Sequence, residues 1–487
     1  PRPVRRRPRP RPTRAALVAA AAVASACGAT HPTVRSRPSG AGRAVVTIDA
    51  AAPGRAVPRS FLGLSIEWDS VEAYAGPPGR RNAALRALLA PLVREAGPLA
   101  LRVGGDTADQ AWWNPTGRRR PATVLQDVTP ATLDAVAWLA RGLRGPVTLD
   151  LDLALADPGN ALALARAARR RLPPGSLDTL EIGNEPDLYT SARTFHVPGH
   201  THRRLRKRTG YGPAAYGRDV APYLGTLSRG LPAAPRLAVA GFAGPAWWSS
   251  LPALLDSWRG QAGALSGHLY ALPRCGGPTP SAAWLLSAAA SRGRAATLGP
   301  LAAIARRRGL PMRVTELNSA ACGGRPGLSD SFGAALWLTD TLFALASEGA
   351  DQADVHTWDH ARYAPFAVAG TSARARPPLI GMVAFARAAP PASRLVAVGV
   401  RGPLRAWATV DQRRAVRIVL IAPTAVRADV VLAGRRCGDA WVATGGRRVT
   451  TRVCPHGEST GIALPARSLA VLTMPAAVTA RAAERHG

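Results

Sequence analysis

Two glutamates each sit at the end of a short apolar run. Glu185 closes TLEIGNE at 179–185, and Glu316 lies in MRVTELN at 312–318. Leu180 and Ile182 precede the first, and Met312 and Val314 precede the second, as in buried strands. A pair of carboxyl groups aimed at one point from opposite sides is the apparatus of glycoside hydrolysis. One protonates the leaving oxygen, and the other attacks the sugar carbon or activates water. The two must differ in pKa, which their neighbours arrange. Asn184 stands next to Glu185, where its amide could bond a sugar 2-hydroxyl. Tyr270 could orient Glu316 and keep it ionised. Other apolar runs end in Glu67, in Asp106, in His268 and in Trp358. Carboxylates for chemistry, amides for hydroxyls and aromatics for ring stacking make a sugar-site composition. The plainer alternative is two surface glutamates bonded to nearby arginines. The Asn-Glu pair and the matching position of the second glutamate argue against it.

Such groups need a scaffold that collects strand ends. Between residues 61 and 389 apolar runs alternate with Ala/Leu/Arg helical stretches. Strands are expected at 61–68, 99–105, 147–154, 179–185, 237–243, 264–271, 312–318 and 353–358. Helices are expected near 82–96, 130–143, 159–172, 213–229, 246–259, 282–308, 332–348 and 378–389. Ser331 is placed to cap the helix from Phe332, with Phe332, Leu336 and Phe343 on one face. Eight β–α units in series imply an α/β fold, a (β/α)8 TIM barrel. Fewer true strands would give an open doubly wound sheet. In the barrel, active sites lie at the C-terminal strand ends, and strands four and seven face each other across it. From residue 390 to 476 the pattern becomes short β-rich runs, at 394–400, 404–410, 415–422, 426–433, 447–453 and 467–474. These predict a C-terminal antiparallel β-sandwich domain. Residues 44–60 hold a further strand, AVVTIDA, expected to join that sandwich, and 477–487 form a tail.

Several stretches together resemble glycoside hydrolase family 79, the heparanase and β-glucuronidase family within the clan A retaining glycosidases. They are FLGLSIEWDS at 61–70, LRVGGDTADQAWW at 101–113, LEIGNEPDLY at 180–189, TGYGPAAYGRDVAPYL at 209–224, SGHLYAL at 266–272 and VTELNSAACGGRPGLSDSFGAALWLTD at 314–340. The resemblance spans residues 60 to about 475, C-terminal sandwich included. It implies Glu185 as acid/base and Glu316 as nucleophile, with retention through a covalent glycosyl-enzyme and carboxylates roughly 5 Å apart. It also favours a β-linked uronic acid. The sugar carboxylate then needs donors, and Gly323, Gly324 and Arg325 offer backbone amides and a guanidinium near Glu316. Family members that bind glucuronate commonly add a tyrosine from this loop. Here no tyrosine lies between Tyr270 and Tyr363.

Five cysteines fit an exported protein. Cys437 and Cys454 bracket a hairpin. Cys275 and Cys322 follow strands six and seven, where a bridge would clamp two site loops. A pairing of either with Cys437 or Cys454 would bring the sandwich over the barrel mouth. Residues 1–27 read as a signal peptide: seven arginines in the first 14 residues, an apolar run at 15–26, then Cys27. Ala24-Ser25-Ala26-Cys27 resembles a bacterial lipoprotein box, so Cys27 is a lipidation candidate. Ordinary cleavage with an incidental Cys27 is the alternative. Residues 28–43 form a flexible linker. A secreted or lipid-anchored cell-surface location follows, with membrane contact only through the anchor. The cysteine and histidine spacing indicates no metal site, and no cofactor is expected.

The formal net charge is +33, from 63 basic and 30 acidic residues, yet Lys207 is the sole lysine. An arginine-only bias in an Ala/Gly/Pro-rich chain is what a G+C-rich bacterial genome writes. Residues 1–43 hold ten arginines and no acid, and 190–212 hold six basic groups and no acid. The second stretch is either a rim for an anionic aglycone or a solvated insertion. With no recognised nucleic-acid motif, the charge does not argue for a specific nucleic-acid partner. The expected function is an exported retaining β-glycosidase on a glucuronide or acidic glycan. The rivals are the same chemistry on a neutral sugar and a non-catalytic glycan-binding surface lipoprotein.

Overall fold

Eight parallel strands close into a barrel in the computed structural model, which describes residues 42–121, 124–190, 194–195, 203–204, 209–231, 235–273, 275 and 278–476. The signal segment, Cys27, the tail and most of the basic 190–212 stretch lie outside the described residues. In chain order the barrel strands are Leu62–Glu67, Leu99–Gly104, Arg144–Leu151, Leu177–Ile182, Arg236–Phe242, Ala264–Leu272, Met312–Ala320 and Gln352–Thr357. The eighth pairs back onto the first, with Val355 beside Leu64, so the sheet has no edge. The fold is therefore a TIM barrel. Strand four ends at Ile182, so Asn184 and Glu185 stand just beyond it.

Strands buried on both faces are usually apolar throughout. Here the outward side chains are, but several inward ones are charged. Arg102, Asp150, Glu181, Arg313 and Asp354 are all buried. Arg313 donates to Thr179 at 2.7 Å and to Asp178 at 2.6 Å from below. Arg102 serves the layer above.

Helices start where side chains take up free backbone amides. Asn82 accepts from the Leu85 amide at 2.9 Å, and Asp157 from that of Asn160 at 2.9 Å. Ser331 departs from expectation: its hydroxyl donates to the Leu328 carbonyl at 2.7 Å and makes no side-chain cap. The helix it precedes, Phe332–Glu348, is buried almost all round rather than along one stripe. The reason is a second covering layer, since Trp407 of the β-domain stacks on Phe343 and donates to Asp340 at 2.7 Å. The helix expected at 282–308 is broken into Ala282–Leu285, a π-turn Ala289–Gly293, Arg294–Ala296 and Gly299–Arg307.

The β-domain is one continuous nine-stranded sheet whose two halves share one buried cluster, including Val46 and Ile462 from one half and Ile418 and Leu472 from the other. It is mostly antiparallel, as expected, with one parallel pairing. Gly42–Asp49 lies between Arg394–Arg401, antiparallel, and Val426–Val431, parallel. Two strands escaped the sequence reading, Gly438–Ala443 and Ser459–Leu464. Gly461 interrupts the second and Asp439 the first, which weakens the β signal of each. Disulfides join Cys275 to Cys322 and Cys437 to Cys454. No helix among the described residues is long and apolar enough to cross a membrane.

Candidate active site

Glu185 is placed by an abrupt stop. Gly183 and Glu185 both adopt left-handed backbone, with φ of 83° and 43°. For a residue with a Cβ this costs about 1–2 kcal/mol. The Glu185 amide donates to the Gly241 carbonyl at 2.9 Å, which fixes the turn. The side chain is 7% exposed and meets the imidazole of His268, Nδ1 to Oε1, at 3.0 Å.

Glu316 arrives from strand seven and is 4% exposed. Tyr270 donates to its Oε2 at 2.7 Å, and Arg102 to its Oε1 at 2.8 Å. Nδ1 of His268 lies 3.7 Å from Oε2, and Nδ1 of His356 lies 3.9 Å from Oε1. Burial pushes the carboxyl pKa up, but the two histidines, Arg102 and the Tyr270 hydroxyl outweigh it. Glu316 is held well below the usual carboxylate range. One oxygen from each glutamate and a nitrogen of His268 fall within 4.8 Å of one another.

Arg102 is the hub beneath the pair. It is fully buried, and besides Glu316 it donates to Glu181 at 2.6 Å, to Asp150 at 2.8 Å and to Asn184 at 3.0 Å. Burial disfavours its charge, but Glu181, Asp150 and Glu316 more than restore it. One cation cannot serve three anions equally. Burial and the neighbouring acids push Asp150 well up despite Arg102, whereas Glu181 is held down by Arg102 and His268 against burial.

The remaining expected residues divide. Asn184 stands beside Arg102 and donates to Asp106 at 3.2 Å, so the hub orients its amide. Glu67 accepts from the Asp106 amide at 3.1 Å and from the amide and hydroxyl of Thr107 at 2.8 and 2.5 Å, and it lies 3.2 Å from Nε2 of His356. It braces the loop after strand two. Gly105 permits this, since a Cβ there would lie 2.3 Å from Glu67. The amides of the strand-seven loop are also less free than expected. Gly324 donates to the Ala321 carbonyl at 3.3 Å, and the Arg325 amide to the Ser329 hydroxyl at 2.9 Å. Gly323 instead makes room for Trp358, whose ring would lie 2.9 Å from a Cβ at that position.

Sequence reasoning left three residues without a role: Arg102, His356 and Tyr363. Arg102 had a signal, as the one charge within LALRVGG, matched by Asp150 and Glu181 inside two other apolar runs. Tyr363 had none. It lies on the loop after strand eight, buried, with its ring centre 6.3 Å from that of Tyr270. Its hydroxyl accepts from Nε1 of Trp358 at 3.1 Å.

Solved structures share this architecture. A 4-O-α-L-rhamnosyl-β-D-glucuronidase from Fusarium oxysporum matches with a TM-score of 0.70 and 18% identity, over 88% of this chain and 100% of that one. A glycoside hydrolase family 51 arabinofuranosidase from Xanthomonas axonopodis pv. citri gives 0.66 and 16%, over 89% and 100%. A glycoside hydrolase family 30 xylanase from Clostridium acetobutylicum gives 0.55 and 14%, over 88% and 99%. The chain has the fold of clan A glycoside hydrolases. No protein-family model and no curated protein matches its sequence.

Proposed function

We propose that the protein is an exported retaining β-glycosidase that releases β-linked glucuronic acid from glucuronides or an acidic glycan by double displacement. The observation that carries this is the closeness of Glu185 and Glu316, within 4.8 Å through oxygens that share His268. Retaining enzymes hold their carboxyl groups about 5–5.5 Å apart, whereas inverting enzymes leave room for a water. Glu316, ionised and held by Tyr270 and Arg102, is the nucleophile. Glu185 is the acid that protonates the leaving oxygen and the base that then activates water. Asn184, fixed by Arg102, presents its amide to the 2-hydroxyl.

The uronate reading is supported by resemblance to glycoside hydrolase family 79 and by the fold shared with a glucuronidase. Tyr363 fits it as well. Trp358 donates to its hydroxyl, whose own proton is then shared between the Tyr270 oxygen and an incoming sugar carboxylate. A neutral sugar is the second reading, favoured by the internal bonding of the Gly324 and Arg325 amides. Export is supported by the two disulfides and the basic-then-apolar N-terminus. A panel of nitrophenyl glycosides tests the substrate: uronide turnover well above neutral turnover supports the first reading. Wild-type-like activity in Glu316→Ala would end both.

A further inference from the structure

Retention moves one negative charge back and forth across the site. An oxygen of Glu316 bonds to the anomeric carbon, and the bond from that carbon to the leaving oxygen breaks. Its electron pair stays on the leaving oxygen, which takes the proton of Glu185. Glu316 is then a neutral ester and Glu185 a carboxylate. In the second displacement a water oxygen bonds to the anomeric carbon and its proton returns to Glu185. The electron pair of the broken ester bond returns to Glu316.

One side chain bonds one end of this traffic and lies close to the other. Nδ1 of His268 is 3.0 Å from Glu185 Oε1 and 3.7 Å from Glu316 Oε2. The ring is 4% exposed, and its buried Nε2 has no hydrogen-bond partner. The imidazole is therefore anchored through Nδ1 alone and can rock between two acceptors. Five charged groups face it. Glu185, Glu181 and Asp187 come from strand four and the turn after it, Glu316 from strand seven and Arg102 from strand two. Arg102 and Tyr270 hold Glu316 from other directions, so the carboxylate stays oriented when the imidazole turns away.

We propose that His268 is a positioning residue that acts as a pivot: its Nδ1–H donates to Glu185 and lies in electrostatic reach of Glu316, so it stabilises the charge on whichever of the two carries it. The proton stays on the ring throughout, and nothing is transferred through it. The inference rests on the glycosidase reading above.

The decisive measurement needs no substrate. Glu316→Gln copies the charge of the glycosyl-enzyme, and Glu185→Gln that of the protonated acid. Ring-nitrogen NMR of the full chain, with the His268 signal assigned by its loss in His268→Asn, follows the titration of the imidazole. Glu316→Gln is expected to lower its midpoint by on the order of one pH unit, since an opposite charge at this distance shifts a pKa by about 1–3, whereas Glu185→Gln, neutral like the resting acid, is expected to move it little. The double substitution, which leaves neither carboxylate to take up the charge, is expected to lower it further than Glu316→Gln alone. A midpoint unmoved by Glu316→Gln, or no lower in the double variant, overturns the pivot. In turnover, His268→Asn keeps a neutral donor that His268→Ala lacks. Both should move the acid limb of kcat/KM to higher pH, and Asn should recover part of the kcat that Ala loses. A uniform loss with unmoved limbs also overturns the inference. If the wild type turns over no glycoside, the glycosidase reading fails, while the titration still decides whether His268 senses both carboxylates.

Discussion

The guanidinium of Arg102 donates to Oε1 of Glu316 at 2.8 Å with both side chains inside the barrel. The same fork reaches Glu181, Asp150 and Asn184. Removing one partner of a buried ion pair leaves an uncompensated charge, which costs about 3–5 kcal/mol. Arg102→Met is expected to lose stability in that range, read as a drop in the denaturant midpoint. Arg102→Lys keeps the charge but not the planar fork. It should fold better than the Met variant yet lose most of kcat, because one ammonium cannot orient Glu316 and Asn184 together. Equal stability of wild type and Arg102→Met would contradict the hub.

Tyr270 supplies the other fixed donor to Glu316. A hydrogen bond to a charged group is worth about 1.5–3 kcal/mol. Tyr270→Phe should therefore lower kcat/KM by roughly one to two orders of magnitude. Without the donor the Glu316 carboxylate binds its proton more tightly. The acid limb of the pH profile should move to higher pH, and a profile that falls without shifting would count against this role.

Buried Asp354 offers a test that does not depend on catalysis. Burial pushes its carboxyl up to about 7, against the lowering effects of Gln352, Arg313 and Arg102. An acid raised by folding binds its proton more tightly in the folded chain. Stability from this group is full below the unfolded value of 3.8 and declines as pH rises toward about 7. Asp354→Asn removes that loss. It is expected to raise the unfolding free energy at pH 7.5, by up to about 4 kcal/mol, and to change it little at pH 4. A gain that is the same at both pH values would refute the assignment.

The Cys275–Cys322 bridge closes a loop of sequence separation 47 next to Tyr270 and Glu316. In the chain-entropy model such a crosslink stabilises by about 4 kcal/mol. Cys275→Ser/Cys322→Ser should lower the thermal midpoint and raise KM more than it lowers kcat, since the strands beneath keep the carboxyl groups in place. Reductant on the wild type should reproduce the rise in KM, with a further drop in the thermal midpoint from opening Cys437–Cys454. Unchanged KM in both would show that the clamp serves stability alone.

Tyr363→Phe separates the two substrate readings. If its hydroxyl receives a uronate, turnover of a nitrophenyl glucuronide should fall about tenfold or more while a neutral glycoside is spared. Equal losses on both would assign Tyr363 to packing against Tyr270.

The carboxyl pair was legible because each glutamate ends an apolar run on strands that topology sets across the barrel. The eight-fold alternation carried the barrel for the same reason: each element had its own period. What stayed hidden has a common cause. Tyr363 lies on an irregular loop, so no periodicity points it at Tyr270. The bonds of Glu67 to the Thr107 amide and hydroxyl were not legible either, because they depend on the local backbone at Gly105. The fate of the Gly324 and Arg325 amides likewise depends on loop geometry. Strand Ser459–Leu464 was lost to a mid-strand glycine, which the ladder to Val426–Val431 overrides through six paired residues.

The strand Gly42–Asp49 has an interior place in the β-domain, yet its partner Arg394–Arg401 is made only after the whole barrel. During synthesis the first strand must wait, unpaired, while eight β–α units emerge. Its antiparallel contacts span some of the longest sequence separations in the molecule, the kind that slows folding. The β-domain therefore cannot complete until the residues after the barrel have followed, so the first strand of the chain is among the last to find its partners.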